Sequence, residues 1–169
     1  KFLRNDNVLG YEETVLKGMR HFLKKKYKYI ATFDADGEHD HKFFLNLKKI
    51  NKFDLIIGKR KSYNRFSEHL FSFITNTFFN INDSLSGLKV YNSKILKKIK
   101  LKNKNIINIL IVFKIKYLNG KIVHKSLNVN KRKDLSRLGN SFFMNLNIIY
   151  YLFKLLFKIF LYKIRIIFN

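Results

Sequence analysis

The sequence predicts an α/β domain with at least partly parallel strands, followed by a basic, strongly apolar helix at the C-terminus. Three observations predict it. Short β-prone runs alternate with longer segments of helical periodicity. The first of these runs stops at carboxylates and glycine, as strands do at the carboxyl edge of a sheet where ligands collect. The final stretch, Phe142 to Phe168, differs in composition from all that precedes it. The division expected is therefore 1–141 for the domain and 142–169 for the helix. A chain of 169 residues suits one domain with its own core.

The elements follow in order. From Asn7 to about Lys26, Val8, Val15, Met19, Phe22 and Leu23 recur at near-helical spacing, with Gly10 and Gly18 flanking the first part. Tyr29 to Phe33 is β-prone and ends at Asp34-Ala35-Asp36-Gly37. A helix is expected from His41 to about Asn51, with Phe43, Phe44, Leu47 and Ile50 on one side and Asp40 as its N-cap. Asp54 to Gly58 is a second strand that runs into Lys59-Arg60-Lys61. Phe66 to Phe79 reads as an apolar helix, Asn80 to Gly87 as a polar turn, and Leu88 to Tyr91 as a strand. Ile106 to Leu118 fits a buried helix closed by Asn119-Gly120. Lys121 to Val129 alternates as a strand, and Lys131 to Ser141 is a basic loop.

The C-terminal segment is long enough to cross a bilayer, for which about 20 residues suffice. It nevertheless carries Lys154, Lys158, Lys163 and Arg165. At about 100° per residue, Asn147, Lys154, Lys158 and Arg165 fall within about 40° of one another, with Lys163 opposite. A narrow polar stripe on an apolar helix suits one lying in the membrane interface. A transmembrane or re-entrant helix, and a core helix or partner surface, are the alternatives.

Composition restricts the function classes. Hydrophobic residues make up 47% and charged residues 27%, which argues against disorder. The absence of cysteine excludes disulfides and thiolate metal sites. Abundant Lys, Asn, Ile and Phe with no Pro indicate an A/T-rich coding sequence, so part of the basic bias is genomic. A net charge of +24 still favours polyanions such as anionic headgroups or phosphorylated substrates. Ten of the 11 acids lie at or before Asp83 and only Asp134 lies beyond it, so carboxylate chemistry is concentrated in the first half. Aromatic residues sit in apolar runs rather than among the basic loops, which speaks against nucleic acid. No signal-peptide pattern precedes the first helix, and a chain opening at Lys1 fits a fragment.

Four places offer chemistry. In Asp34-Ala35-Asp36-Gly37-Glu38, a strand-to-loop turn lets Asp36 and Glu38 converge on one divalent cation, and hard oxygen ligands suit Mg2+ or Mn2+. His39, Asp40 and His41 permit an alternative zinc reading, and an acidic capping turn is the plain one. Gly58-Lys59-Arg60, with Arg65 beyond, can form a phosphate clamp at the same sheet edge, or a solvated basic loop. Asp83 in Asn82-Asp83-Ser84 can act as a base, bind a sugar hydroxyl, or close an Asx turn. The stretch Lys131 to Gly139 alone is only a basic loop.

Taken together and in this order, these segments resemble the family 2 glycosyltransferases of the dolichol-phosphate mannosyltransferase type, over roughly Asn7 to Gly139. The family's "DADGQH" reads "DADGEHD" here, "IGSR" reads "IGKR", "DxxSGFRVY" reads "DSLSGLKVY", and "R…SKLG" reads "R…SRLG" from Arg132. "LGYEETVLKG" is similar to the family's Gly-flanked helix. The resemblance implies an incomplete GT-A-type (Rossmann-like) mixed sheet flanked by helices. It implies hexose transfer from a GDP- or UDP-sugar to a polyprenyl phosphate, or to a related cell-envelope glycan, at the cytoplasmic face of the membrane, metal-dependent and inverting. Asp34 and Gly10 would then serve the donor, and Asp36 and Glu38 the metal. Arg60, Arg65, Arg132, Ser136 and Arg137 would serve the acceptor phosphate, with Asp36, Arg60 and Asp83 in the catalytic set.

The family's opening strands, one bearing a "PTYNE"-like motif and one ending in "DDGS", have no counterpart among these residues. The resemblance therefore implies a fragment or truncated gene, or a first half supplied by a separate polypeptide. Asp40-His41 also stands where the family has Pro. The alternative function is a truncated, catalytically inactive basic module that binds membranes.

Overall fold

The computed structural model describes residues 4, 7, 10–34, 39–45, 47, 52–99, 107–129 and 142–167. Four strands, β1 (Tyr29–Thr32), β2 (Leu55–Arg60), β3 (Lys89–Asn92) and β4 (Ile122–Leu127), form one mixed sheet in the order β1-β3-β2-β4. β3 runs antiparallel to both neighbours, and β2 and β4 are parallel. Thr32 therefore pairs with Lys89, Ile57 with Lys89 on the other side, and Arg60 with Leu127. The ends of β1, β2 and β4 and the start of β3 meet at one sheet edge.

Leu55-Ile56-Ile57 is a continuous apolar run because both faces of the sheet are covered. Successive side chains alternate sides. Leu55, Ile57, Ile30 and Tyr91 join the larger core, whereas Ile56, Val90 and Leu127 join a smaller one with Phe43 and Phe53. Helices α1 (Tyr11–Lys24), α2 (Phe66–Phe79), α3 (Ser93–Lys98), α4 (Ile107–Tyr117) and α5 (Phe142–Ile167) complete the chain. All five contribute side chains to the larger core.

Local signals set the helix ends. Gly10, with φ 73°, precedes α1, and its carbonyl accepts from Thr14 N at 3.2 Å. Asn80 closes α2 in the left-handed conformation, its N–H donating to Asn76 O at 2.9 Å. Gly120 follows α4 and donates to Ile115 O at 2.9 Å. A Cβ at residue 120 would lie 2.9 Å from that same oxygen, so the stop expected at Asn119-Gly120 requires glycine for space.

One expectation is corrected. The helix expected from His41 to about Asn51 is, over the described residues, a 3-10 turn at His41–Phe44. Asp40 does cap it, accepting from Lys42 N at 2.9 Å. The turn closes by i→i+3 bonds, Phe43 N to Asp40 O and Leu45 N to Lys42 O, a geometry suited only to short runs. Phe43, Phe44 and Leu47 still face the sheet. The two histidines of the zinc alternative differ in setting. His39 is 7% exposed and its Nδ1 has no hydrogen-bond partner among the described residues, whereas the His41 side chain is 83% exposed. The two imidazoles occupy opposite environments.

The C-terminal helix is docked. Leu152, Leu155 and Ile159 are buried in the larger core, and Asn145 Oδ1 accepts from Ser67 N at 3.2 Å at the start of α2.

Candidate functional site

The sheet edge gathers Asp34, Arg60, Asp83 and the turn that precedes β3. Arg60 is the last residue of β2, and Asp83 lies in the loop after α2 with φ 48°, a left-handed conformation that Asp tolerates. That loop turns Asp83 inward. Its Oδ2 accepts from Arg60 N at 2.9 Å and Arg60 Nε at 3.0 Å, and its Oδ1 accepts from Arg60 Nη2 at 2.8 Å. The Asp83 side chain is 1% exposed, so the carboxylate is held inside by a forked guanidinium.

Glu68, on the first turn of α2, bridges two arginines. Arg60 Nη1 donates to its Oε2 at 3.2 Å and Arg65 Nη1 to its Oε1 at 2.7 Å. Two guanidiniums and two carboxylates thus form one largely buried network. Burial opposes the charge on Arg60, but the hydrogen bond and charge of Asp83, with Glu68, hold it well above the usual arginine range. Tyr63 packs beneath, with the guanidinium 5.1 Å from its ring centre and its hydroxyl 2.7 Å from Ser72 Oγ. His124 on β4 accepts from Asn82 N at 3.0 Å and steadies the same loop. Burial, with Lys59 nearby, lowers its pKa.

Asp34 stands just past β1. Thr32 Oγ1 donates to Gly87 O at 2.8 Å, tying the end of β1 to the turn before β3. Beneath that turn the Lys89 side chain is fully buried, and its Nζ donates to Ser86 O. Burial pushes its pKa down to about 8, while Asp83 and Asp34 act in the opposite sense. On the outer side of β1, a cavity of about 190 Å3 lies between α1 and the strand. Tyr11, Val15, Met19, Phe33 and Asp34 are among its walls. Tyr11 OH accepts from Asn108 Nδ2 at 3.1 Å, and Glu12 Oε2 accepts from Asn108 N at 3.2 Å, which joins the starts of α1 and α4. Burial and the charge of Asp34 raise the Tyr11 pKa. Gly10 is adjacent to Tyr11 and so belongs to this side of the edge.

The structure therefore brings Asp34, Arg60, Arg65 and Asp83 to one end of the sheet, while Gly10 precedes Tyr11, which lines the cavity beside Asp34. Asp36, Glu38, Arg132, Ser136 and Arg137 lie outside the described residues. Among the described residues no three His, Asp or Glu side chains group to hold a metal ion. Sequence reasoning missed Glu68, Lys89 and Tyr11. Glu68 is the only acid in an apolar helix and Lys89 the only charge in a β-prone run, signals that in retrospect mark buried partners. A larger cavity, about 720 Å3 and lined partly by Lys28, Lys52 and Lys94, opens at the other end of the strands.

No protein-family model matches the chain. No curated protein matches it in sequence. In structure it is similar to the glucosyl-3-phosphoglycerate synthase of Mycobacterium tuberculosis, solved in complex with phosphoglyceric acid, with a TM-score of 0.57 at 14% identity. The match covers 80% of this chain and 50% of that one, so the chain spans about half the length of the solved structure it resembles. The fold is accordingly a mixed α/β sheet flanked by helices that matches part of a GT-A fold, with an apolar C-terminal helix.

Proposed function

We propose that the chain is the acceptor-side part of a glycosyltransferase that moves a hexose from a GDP- or UDP-sugar to a polyprenyl phosphate at a membrane surface. One observation carries this reading. A carboxylate at the end of β1 and a buried arginine network at the end of β2 share the edge of a sheet whose fold matches a known glycosyltransferase. The similar structure was solved with phosphoglyceric acid, an anion that bears a phosphate, which supports a phosphate-bearing acceptor here.

In this reading Asp34 lies on the donor side, and Asp36 and Glu38 bind Mg2+ or Mn2+. Hard carboxylate oxygens suit those ions, which would neutralise the diphosphate leaving group. A phosphate monoester is already ionised at neutral pH, so the attacking oxygen needs no strong base. Asp83, with both oxygens on Arg60, fits a positioning role better than proton transfer. Arg65 and Arg60, joined by Arg132, Ser136 and Arg137, orient the acceptor anion toward the anomeric carbon. Its oxygen forms the new glycosidic bond as the bond from sugar to nucleoside diphosphate breaks, with inversion.

The test is calorimetric titration of GDP- and UDP-hexoses into the intact gene product, with and without Mn2+. Donor binding is expected to need Mn2+ and to vanish in Asp36→Ala. Metal-independent binding that survives this substitution removes the metal role. No donor binding at all leaves an inactive basic module and overturns the proposal.

A further inference from the structure

Helix α5 has three faces. Leu152, Leu155 and Ile159 dock into the core. On the far side Phe142, Phe153, Phe157 and Phe160 are 73%, 66%, 62% and 60% exposed. Between these faces lie Asn147, Lys154 and Lys158, with Lys154 Nζ 5.5 Å from the ring centre of Tyr150. The hydrogen bond from Ser67 N to Asn145 brings the start of α5 against the start of α2. Phe66 at 75% exposed, next to Arg65 in the chain, and Phe142 at 73% and Phe143 at 75% therefore stand at the two helix starts that this bond joins.

We propose that α5 lies in the plane of an anionic bilayer, with its outer aromatic face and Phe66 seated in the leaflet and Arg65 held at headgroup depth. This deepens the membrane contact of the reading above and rests on that reading only for the identity of the acceptor. An apolar face flanked by lysines suits such a surface, because lysine stems lie along the boundary while their ammonium groups reach the headgroups. α5 contains Lys154, Lys158, Lys163 and Arg165 and no acid, in a chain of net charge +24. Two such helices repel, so an anionic leaflet fits the face better than a second copy. Docking also opposes a spanning orientation. A helix whose middle is packed into the domain cannot cross the bilayer without drawing α2 and its Glu68 in with it.

The chain has no tryptophan, so single replacements report depth without background. Phe66→Trp, Phe142→Trp, Phe157→Trp and, at the far end of the strands, Tyr27→Trp are each mixed with phosphatidylglycerol–phosphatidylcholine vesicles whose acyl chains carry bromine at set depths. The first three are expected to be quenched and Tyr27→Trp to be unaffected. Positions 142 and 157 stand about 22 Å apart along the helix axis at 1.5 Å per residue. An in-plane helix gives them equal depth. Depths that differ by most of that distance, or no quenching at 66 and 142, overturn the proposal.

Replacing Phe66, Phe142 and Phe143 together by Ser is expected to lower vesicle binding about tenfold or more, with the circular dichroism spectrum retained. Unchanged vesicle binding, or the loss of a solution dimer with no change on vesicles, also overturns it. Insertion is read without donor. A chain that inserts yet binds no nucleotide-sugar removes the sugar-transfer reading alone, whereas donor binding without insertion removes this one alone.

Discussion

The carboxylate of Asp34 fills the space that a side chain on Gly87 would need. A Cβ at residue 87 would lie 2.6 Å from Cγ of Asp34, nearer than real Cβ atoms come to any neighbour. With Thr32 Oγ1 bonded to Gly87 O, the turn before β3 and the end of β1 hold this carboxylate at the sheet edge.

Gly87→Ala is therefore expected to displace Asp34 rather than to unfold the domain, since a short side chain can swing away. Nucleotide-sugar affinity should fall as far as in Asp34→Ala. The double variant should be no worse than either single one, because both remove the same placement. Additive losses in a titration would show that Gly87 acts on something else.

Asp83→Ala strips the buried Arg60 of its main partner. Breaking a buried pair by removing one member costs about 3–5 kcal/mol, because the remaining charge stays inside. For a chain of this size that lowers the melting temperature by about 10 °C. Calorimetry checks it, and a change below about 1 kcal/mol would show that the network is solvated like a surface pair.

Glu68 neutralises charge that an acceptor phosphate would otherwise meet, since it bridges Arg60 and Arg65. Glu68→Gln is expected to destabilise the fold modestly and to tighten binding of a phosphate-bearing acceptor, with donor affinity unchanged. Weaker acceptor binding in this variant would mean that Glu68 orients the arginines more than it competes for them.

Lys89 has a pH signature. Burial holds its folded-state pKa at about 8, below the ordinary lysine value of about 10.4. Between those values the unfolded chain keeps a proton that the fold has released, so stability rises with pH across that window. Below about pH 8 both states are protonated and the penalty is constant. Denaturant titrations from pH 7 to pH 10 should show the wild type gaining stability relative to Lys89→Met. A difference that stays flat would contradict this placement of the ammonium.

Much of the fold was legible because its strands are short apolar runs with abrupt ends. Leu55 to Gly58 and Tyr29 to Thr32 lie where the sequence places strands, as do the helices at Phe66–Phe79 and Ile107–Tyr117. The antiparallel run of β3 was not legible, since strand order depends on loop paths and leaves no periodicity behind. The partners of Arg60 were hidden for the same reason. Glu68 is eight residues away and Asp83 twenty-three, and only the turn of α2 back across the sheet edge brings them together. The spacing of α5 revealed its polar stripe but could not say which apolar flank docks, because Leu155 and Phe157 are equally hydrophobic in sequence.

The most direct test of the account is hexose transfer. Labelled GDP- or UDP-hexose is incubated with Mn2+, vesicles containing polyprenyl phosphate, and the protein. Label should enter the lipid phase with the wild type, and Asp36→Ala should lower the rate at least about a hundredfold, the scale expected when a leaving-group metal is lost. Equal lipid labelling by wild type and Asp36→Ala, or none by a folded wild-type chain that has bound donor and vesicles, would contradict it.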